Sequence, residues 1–253
     1  MHGNRARTDM GAPPAGIVGP RLSRPRAYLL LSRVSNLPTV WSNALAGWIA
    51  AGGSVGGDAA GRATMVAAAT SLLYVGGMFL NDAFDAGYDR VHRPDRPVPS
   101  GSVRLGEAFA VAFLLLAVGT AWLASAGLRP FLWGLCLAAA IVLYDFRHKG
   151  FSLGPVLMGA CRGLVYCVAG SAVAALSSSV YVPALLLTAY TASLTIVARQ
   201  AGPRAPTVVP LMIAGMSLID GAVIAWNGGG TTALVGPVCF VLTLALQRVV
   251  PGT

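Results

Sequence analysis

The acidic residues in the stretch NDAFDAGYDR are the side chains of this sequence best suited to metal chemistry. The chain has nine Asp and Glu residues in total, and Asp82, Asp85 and Asp89 fall within these ten positions. On a helix they stand at i, i+3 and i+7, which predicts that they project from one face with the amide of Asn81 nearby. Aligned carboxylates repel one another unless a cation neutralises them, and Mg²⁺ takes such hard oxygen ligands together with phosphates. The alternative is a solvated helix end whose acids align by chance.

Two arginines follow this stretch in the segment RVHRPDRPVPSG. Arg93 and Arg96 each precede a proline, and proline restricts the backbone to an extended, stiff path. The guanidinium fork suits phosphate oxygens. This spacing predicts a phosphate-binding loop beside the carboxylates, and the alternative is an ordinary basic loop next to a membrane.

The elements that position these residues are indicated by composition. The chain has 253 residues, of which 55% are hydrophobic and 11% charged, with a mean hydropathy of +0.68. A soluble domain carries roughly a quarter of charged residues, so the sequence predicts an all-α, polytopic transmembrane helical bundle around a central cavity. About eight spans are expected, over residues 34–52, 63–83, 106–126, 130–145, 154–175, 180–198, 206–226 and 231–248.

The net charge of +9 does not indicate a nucleic-acid partner, because the basic residues lie in the gaps between apolar runs. Their alternation follows the positive-inside rule and predicts a multi-pass protein of the inner (plasma) membrane. Both termini and the carboxylate stretch are expected on the cytoplasmic side. Residues 1–26 lack an apolar core and are predicted to be a disordered basic cytoplasmic tail. Residues 27–253 are predicted to form the transmembrane domain.

Three segments together resemble a known family. Asn81-Asp82-x-x-Asp85-x-x-x-Asp89 followed by HRPDRPVPSG resembles the first aspartate-rich motif of the UbiA-type intramembrane prenyltransferases. SNLPTVWSNALAGW, at the start of the first span, is similar to the same family. YDFRHK, from Tyr144 to Lys149, resembles its Tyr-to-Lys element after the fourth helix.

The resemblance implies a transferase that moves an isoprenoid chain from an allylic diphosphate to a small aromatic or polyol acceptor. Mg²⁺ would bridge Asp82, Asp85 and Asp89 to the diphosphate, and Lys149 would act with the two arginines as the diphosphate leaves. The other residues expected to bind substrate are Asn36, Asn43, Asn81, Tyr144, Asp145, Arg162 and Arg199. For Asn36 and Asn43, the alternative is hydrogen bonding between helices. The expected partners are a prenyl diphosphate, a small acceptor and membrane lipid.

The sequence departs from this family in one region. A second aspartate-rich motif is expected after the sixth helix, but AYTASLTIVARQAGPRAPTVVP contains no carboxylate. Either Asp145 completes the metal site, or Arg199 and Arg204 replace the charge of a second metal. The departure suggests a divergent subgroup with an unusual acceptor, a cyclitol or another polyol rather than a benzoquinone precursor. It also leaves a second function open: a catalytically divergent isoprenoid-lipid carrier or transporter.

Two further charges lie inside predicted spans. Arg162 lies about two turns into the fifth span, roughly 12 Å deep, and such a charge normally faces a cavity or a partner. It is expected either to reach the diphosphate or to extend back toward the loop. Asp220 lies nearer the outer end of the seventh span. It is expected either to contact an acceptor or to satisfy helix packing near the interface, and the second is favoured.

Overall fold

The computed structural model describes residues 21–147 and 153–252, and these residues are helical with short connections and no strand. The all-α prediction is therefore confirmed. Short 3₁₀ turns join several of the helices. The α-helices of the described residues are α1 (Arg24–Ser32), α2 (Leu37–Ala50), α3 (Asp58–His92), α4 (Leu105–Leu123), α5 (Leu128–Arg147), α6 (Gly154–Ser171), α7 (Ser178–Gln200), α8 (Ala205–Trp226) and α9 (Val235–Gln247).

Six segments of the described residues are long and apolar enough to cross a membrane by themselves, and they contain α3, α4, α5, α7, α8 and α9. The predicted count of eight is approximate, because α2 and α6 do not meet this description. The α2 helix has only 14 residues, and α6 carries Arg162 in its first half. Both helices are buried along much of their length inside the bundle, so their neighbours supply the apolar surface toward lipid.

The α3 helix is longer than its predicted span. It has 35 residues, which is about 52 Å of helix, whereas the hydrocarbon core of a bilayer is only about 30 Å thick. The polar stretch 81–90 continues the same helix as far as His92. The carboxylates are therefore held on a rigid helical extension of a membrane-crossing segment.

Glycine allows α6 to approach its neighbours closely. A Cβ atom on Gly159 would lie 2.2 Å from the carbonyl oxygen of Thr188 in α7, and one on Gly47 of α2 would lie 2.6 Å from that of Tyr166. Small residues at such contacts let membrane helices pack backbone to backbone. This packing places α2 and α7 against α6, where all three contribute to the wall of one cavity.

The α1 helix precedes the bundle and is joined to it by polar contacts. Arg24 and Tyr28 both donate hydrogen bonds to Glu107 at the start of α4, and this contact raises the pKa of Tyr28 above its usual range. Residues 1–20 of the predicted tail lie outside the described residues. Arg33, directly after α1, adopts a left-handed backbone conformation (φ 43°, ψ 45°) that ends the helix.

Candidate active site

A cavity of about 740 Å³ lies between the helices of the bundle. One end is polar, where the end of α3, the loop after it and the end of α5 meet. The rest of the wall is largely apolar and includes Val40, Leu137, Ile141, Val165 and Ile213. The cavity therefore combines a charged end with space for a hydrocarbon chain. The polar end is lined by Arg33, Asn81, Asp85, Arg93, Asp95, Arg96, Tyr144 and Asp145.

Arginines hold two of the three predicted metal ligands. The Nη2 atom of Arg33 donates to Oδ1 of Asp82 at 2.8 Å, and Nη1 of Arg96 lies 3.4 Å from the same oxygen. Arg96 also donates to Oδ2 of Asp89 at 3.1 Å. Asp82 is 5% exposed and Asp89 is 1% exposed, so these ion pairs form a buried cluster at the edge of the cavity.

Arg33 carries no sequence signal for a place in the site. It directly precedes the first predicted span, like an ordinary basic residue beside a membrane, although the structure places its guanidinium on Asp82. The two residues are 49 positions apart, and no local pattern signals their contact. Arg96 was predicted as a diphosphate ligand, and it is the side chain that joins Asp82 to Asp89.

The third carboxylate of the motif has a different environment. Asp85 is partly exposed and lines the cavity. Beside it, the side-chain amide of Asn81 donates to Oδ1 of Asp145 at 3.1 Å, which joins α3 to α5. Asp145 is 4% exposed and also belongs to the cavity wall. The predicted proximity of Asp145 to the aspartate stretch is therefore present, and its role as a metal ligand stays a prediction.

The donors around the motif suit Mg²⁺ in kind. All are carboxylate or amide oxygens, and the buried Oδ1 atom of Asp89 accepts no hydrogen bond from the described part of the chain. No three acidic, histidine or cysteine side chains are grouped as a ready metal site anywhere in the described residues. The residues therefore fit the ion in donor chemistry, but Asp82 and Asp89 are paired with Arg33 and Arg96, which would have to turn away from them for the ion to bind.

The two asparagines of the first predicted span have separate environments. Asn36 lines the cavity, donates to the carbonyl oxygen of Gly252 at 3.0 Å and accepts a hydrogen bond from Gln247 at 2.8 Å. Asn43 is fully buried and accepts a hydrogen bond from Nη1 of Arg162 at 3.2 Å. Of the two asparagines, Asn36 reaches the cavity directly, whereas Asn43 is linked to it through Arg162, which lines the cavity.

The remaining predicted site residues are distributed unevenly. Arg93 and Tyr144 line the cavity. Arg199 is exposed at the end of α7 and is not part of the cavity wall. Lys149 lies outside the described residues, so its predicted role stays a prediction.

Together these features define a class: a multi-pass, all-helical membrane protein with an internal cavity whose polar end carries both carboxylates and guanidinium groups. Residues 36–202 match the model of the UbiA prenyltransferase family, which is more than half of the chain. The chain belongs to this family.

Named relatives and solved structures agree with this assignment. A digeranylgeranylglyceryl phosphate synthase of Methanopyrus kandleri is 37% identical over 147 residues, or 54% of this chain and 51% of the relative. One from Metallosphaera sedula is 37% identical over 82 residues, or 32% of this chain and 29% of the relative. The matches thus span about half or less of these relatives. A UbiA homolog from Archaeoglobus fulgidus bound to GPP and Mg²⁺ shares the fold, with a TM-score of 0.57 and 18% identity over 88% of this chain and 86% of that one.

Proposed function

We propose that this protein is an intramembrane prenyltransferase that moves an isoprenoid chain from an allylic diphosphate to a small acceptor with the help of Mg²⁺. The observation that carries the proposal is that Asp85, Arg93 and Arg96 line the same cavity as apolar residues of α2, α5 and α8. An allylic diphosphate has this same division between an anionic head and a hydrocarbon tail.

The residues of the polar end would bind and orient the diphosphate. Asp82, Asp85 and Asp89 would hold Mg²⁺, which supplies charge neutralisation at the leaving diphosphate. Arg33 and Arg96, released from the carboxylates, would then donate to phosphate oxygens beside Arg93 and Lys149. The hydrocarbon chain would lie along Val40, Ile141 and Ile213 and exclude water from the reacting carbon. The bond between the first prenyl carbon and oxygen breaks and the diphosphate keeps the electron pair. An acceptor hydroxyl oxygen bonds to that carbon and gives up its proton, which leaves with the diphosphate or to water.

The acceptor class is proposed from two sources. The sequence departure in the second half favours a polyol over an aromatic acceptor, and the relatives are named for a glyceryl phosphate product. A polyol that carries a phosphate group fits both. The distribution of Lys and Arg favours the plasma membrane with the polar end of the cavity on the cytoplasmic side, where soluble phosphorylated acceptors are available.

The test uses membranes that contain the full chain, labelled geranylgeranyl diphosphate and Mg²⁺, with a polar extract and a lipid extract of the host cells supplied in separate assays. Asp85→Asn removes a cavity carboxylate, whereas Asp58→Asn removes an exposed carboxylate from the opposite end of the same helix and serves as the matched control. We expect a Mg²⁺-dependent, lipid-soluble product that is lost in Asp85→Asn and retained in Asp58→Asn.

Two other outcomes would count against the proposal. Label that binds the protein without forming a product from any extract would favour the isoprenoid-lipid carrier. Equal product from both variants would remove Asp85 from the reaction.

A further inference from the structure

Asp220 is the centre of a buried polar cluster that joins three helices. This α8 residue is 0% exposed. Its carboxylate accepts hydrogen bonds from the hydroxyl of Ser42 at 2.5 Å, the side-chain amide of Asn43 at 2.6 Å and the hydroxyl of Tyr166 at 2.6 Å. These hydrogen bonds satisfy a buried carboxylate and agree with the packing interpretation of Asp220. A second role follows from the effect of the carboxylate on the amide of Asn43.

The carboxylate determines which way the amide of Asn43 faces. An ionised carboxylate only accepts hydrogen bonds, so Asn43 must turn its NH₂ group toward Asp220. The oxygen of the same amide then faces away from Asp220 and accepts from Nη1 of Arg162 at 3.2 Å. The chain of contacts runs from a buried anion through a fixed amide to a guanidinium group.

Arg162 lies in the cavity wall, and most of its N–H groups have no hydrogen-bond acceptor among the described residues. Its guanidinium carbon lies 5.3 Å from the ring centre of Tyr74. Within the part of the chain that the structure describes, it forms no direct ion pair, and Asn43 is its only hydrogen-bond acceptor. A guanidinium carries five N–H donors, so most of them remain for a ligand in the cavity. A charge at this depth needs a partner of opposite sign, and Asp220 supplies it through Asn43.

We propose that Asp220 is a positioning residue, which acts through Asn43 to present the guanidinium of Arg162 to an anionic oxygen of a substrate in the cavity. The inference rests on the proposed function for the identity of that substrate. The ligand chemistry is a phosphate-type anion, which has two sources: the diphosphate of the prenyl donor or an acidic group on the acceptor.

The test measures anion binding directly, so it does not need turnover or a known acceptor. The full chain in lipid nanodiscs is titrated calorimetrically with inorganic phosphate, and separately with inorganic pyrophosphate and Mg²⁺. We expect Arg162→Gln to lower the affinity for the anion at least tenfold, because a charged hydrogen bond is lost. Asp220→Asn should lower this affinity about threefold to tenfold.

The claim that Asp220 acts through Asn43 is tested by a double-mutant cycle. Asn43→Leu keeps the volume and removes the amide, while Asp220 retains Ser42 and Tyr166. The double variant should bind the anion no more weakly than Asn43→Leu alone, because both substitutions break one path. Ser217→Ala is the control, since Ser217 is equally buried, lies one turn before Asp220 and has its hydroxyl oxygen 3.1 Å from that of the same Ser42. It should bind as the unsubstituted protein does.

The arms also identify the source of the anion. If phosphate still binds when Mg²⁺ and pyrophosphate are saturating, and Arg162→Gln lowers its affinity, the anionic group that contacts Arg162 belongs to the acceptor. If Arg162→Gln instead lowers the affinity for pyrophosphate, the anionic group belongs to the prenyl donor. Both results support the proposal. The proposal is overturned if Asp220→Asn leaves the anion affinity unchanged while Arg162→Gln lowers it. It is also overturned if neither variant changes this affinity. If Asp220→Asn does not fold, unchanged binding by Asn43→Leu overturns it alone. Failure of the prenyl-transfer assay with these binding results intact would refute only the proposed function.

Discussion

Substitution of Asp82 should lower the stability of the fold as well as the activity. Its Oδ1 atom is shared by the guanidinium groups of Arg33 and Arg96 at 2.8 and 3.4 Å. The side chains of Asp82, Arg33 and Arg96 are only 7%, 16% and 16% exposed. Asp82→Asn keeps the size of the side chain and removes its charge, so both guanidinium groups lose an anionic partner inside the protein.

Removing one partner of a buried ion pair typically costs about 3–5 kcal/mol. The adjoining cavity lets water reach the arginines, and Asp89 remains on Arg96, so we expect about 2–3 kcal/mol for Asp82→Asn. In a chain of this size that loss corresponds to a fall of about 5–10 °C in Tm. Arg33→Gln removes only one of the two pairs and should cost about 1–2 kcal/mol.

The assay is thermal unfolding of the purified protein in detergent, followed by tryptophan fluorescence. Asp58→Asn is the control because Asp58 is exposed at the far end of α3. The double variant Asp82→Asn with Arg33→Gln should be less destabilised than the two single variants added together, since they share one contact. A Tm for Asp82→Asn within about 1 °C of the unsubstituted protein, where surface substitutions normally fall, would refute the assignment of these ion pairs.

Three more predictions follow from the described geometry. Gly159→Val should lower Tm by several degrees, because the new Cβ would lie 2.2 Å from a carbonyl oxygen of α7. Gly61→Val is the control and should change Tm less, because a Cβ at that position has open space around it. Arg93→Gln should raise the KM for the prenyl diphosphate about tenfold, because Arg93 lines the cavity. Arg90→Gln, three residues earlier and outside the cavity wall, should leave it unchanged. Removal of divalent ions with EDTA should abolish transfer, and added Mg²⁺ should restore it; transfer that persists in EDTA would contradict the metal assignment.

Much of the fold was predictable because hydropathy and the positions of Lys and Arg are strong local signals. The eight predicted spans correspond in order to α2 through α9. What hydropathy could not distinguish is a helix in lipid from a helix inside a bundle, since both are apolar. It also could not follow α3 beyond residue 83, because the remaining turns lie where side chains are polar.

The site was predictable only where its residues are close in sequence. Asp82, Asp85, Arg93 and Arg96 share one segment, and the spacing and the resemblance pointed to them together. The contacts of Arg33 with Asp82 and of Asp220 with Asn43 could not be predicted, because the partners lie on different helices. The separation between Asp220 and Asn43 is 177 positions, so only the folded bundle brings this anion to an amide that faces Arg162.

The position of the oxygen donors argues for one metal ion. Within the described residues, the acidic side chains of the cavity wall come from α3, the loop after it and α5, namely Asp85, Asp95 and Asp145. The opposite wall, where α7 passes into α8, contributes Ala198, Ala205 and Pro206, none of which offers a carboxylate. If one ion carries the reaction, the initial rate should rise hyperbolically with Mg²⁺ concentration, with a Hill coefficient of about 1, because this coefficient does not exceed the number of sites. The measurement is a Mg²⁺ titration at saturating prenyl diphosphate. A sigmoidal curve with a coefficient clearly above 1 would show that a second ion is held by ligands other than a second aspartate motif.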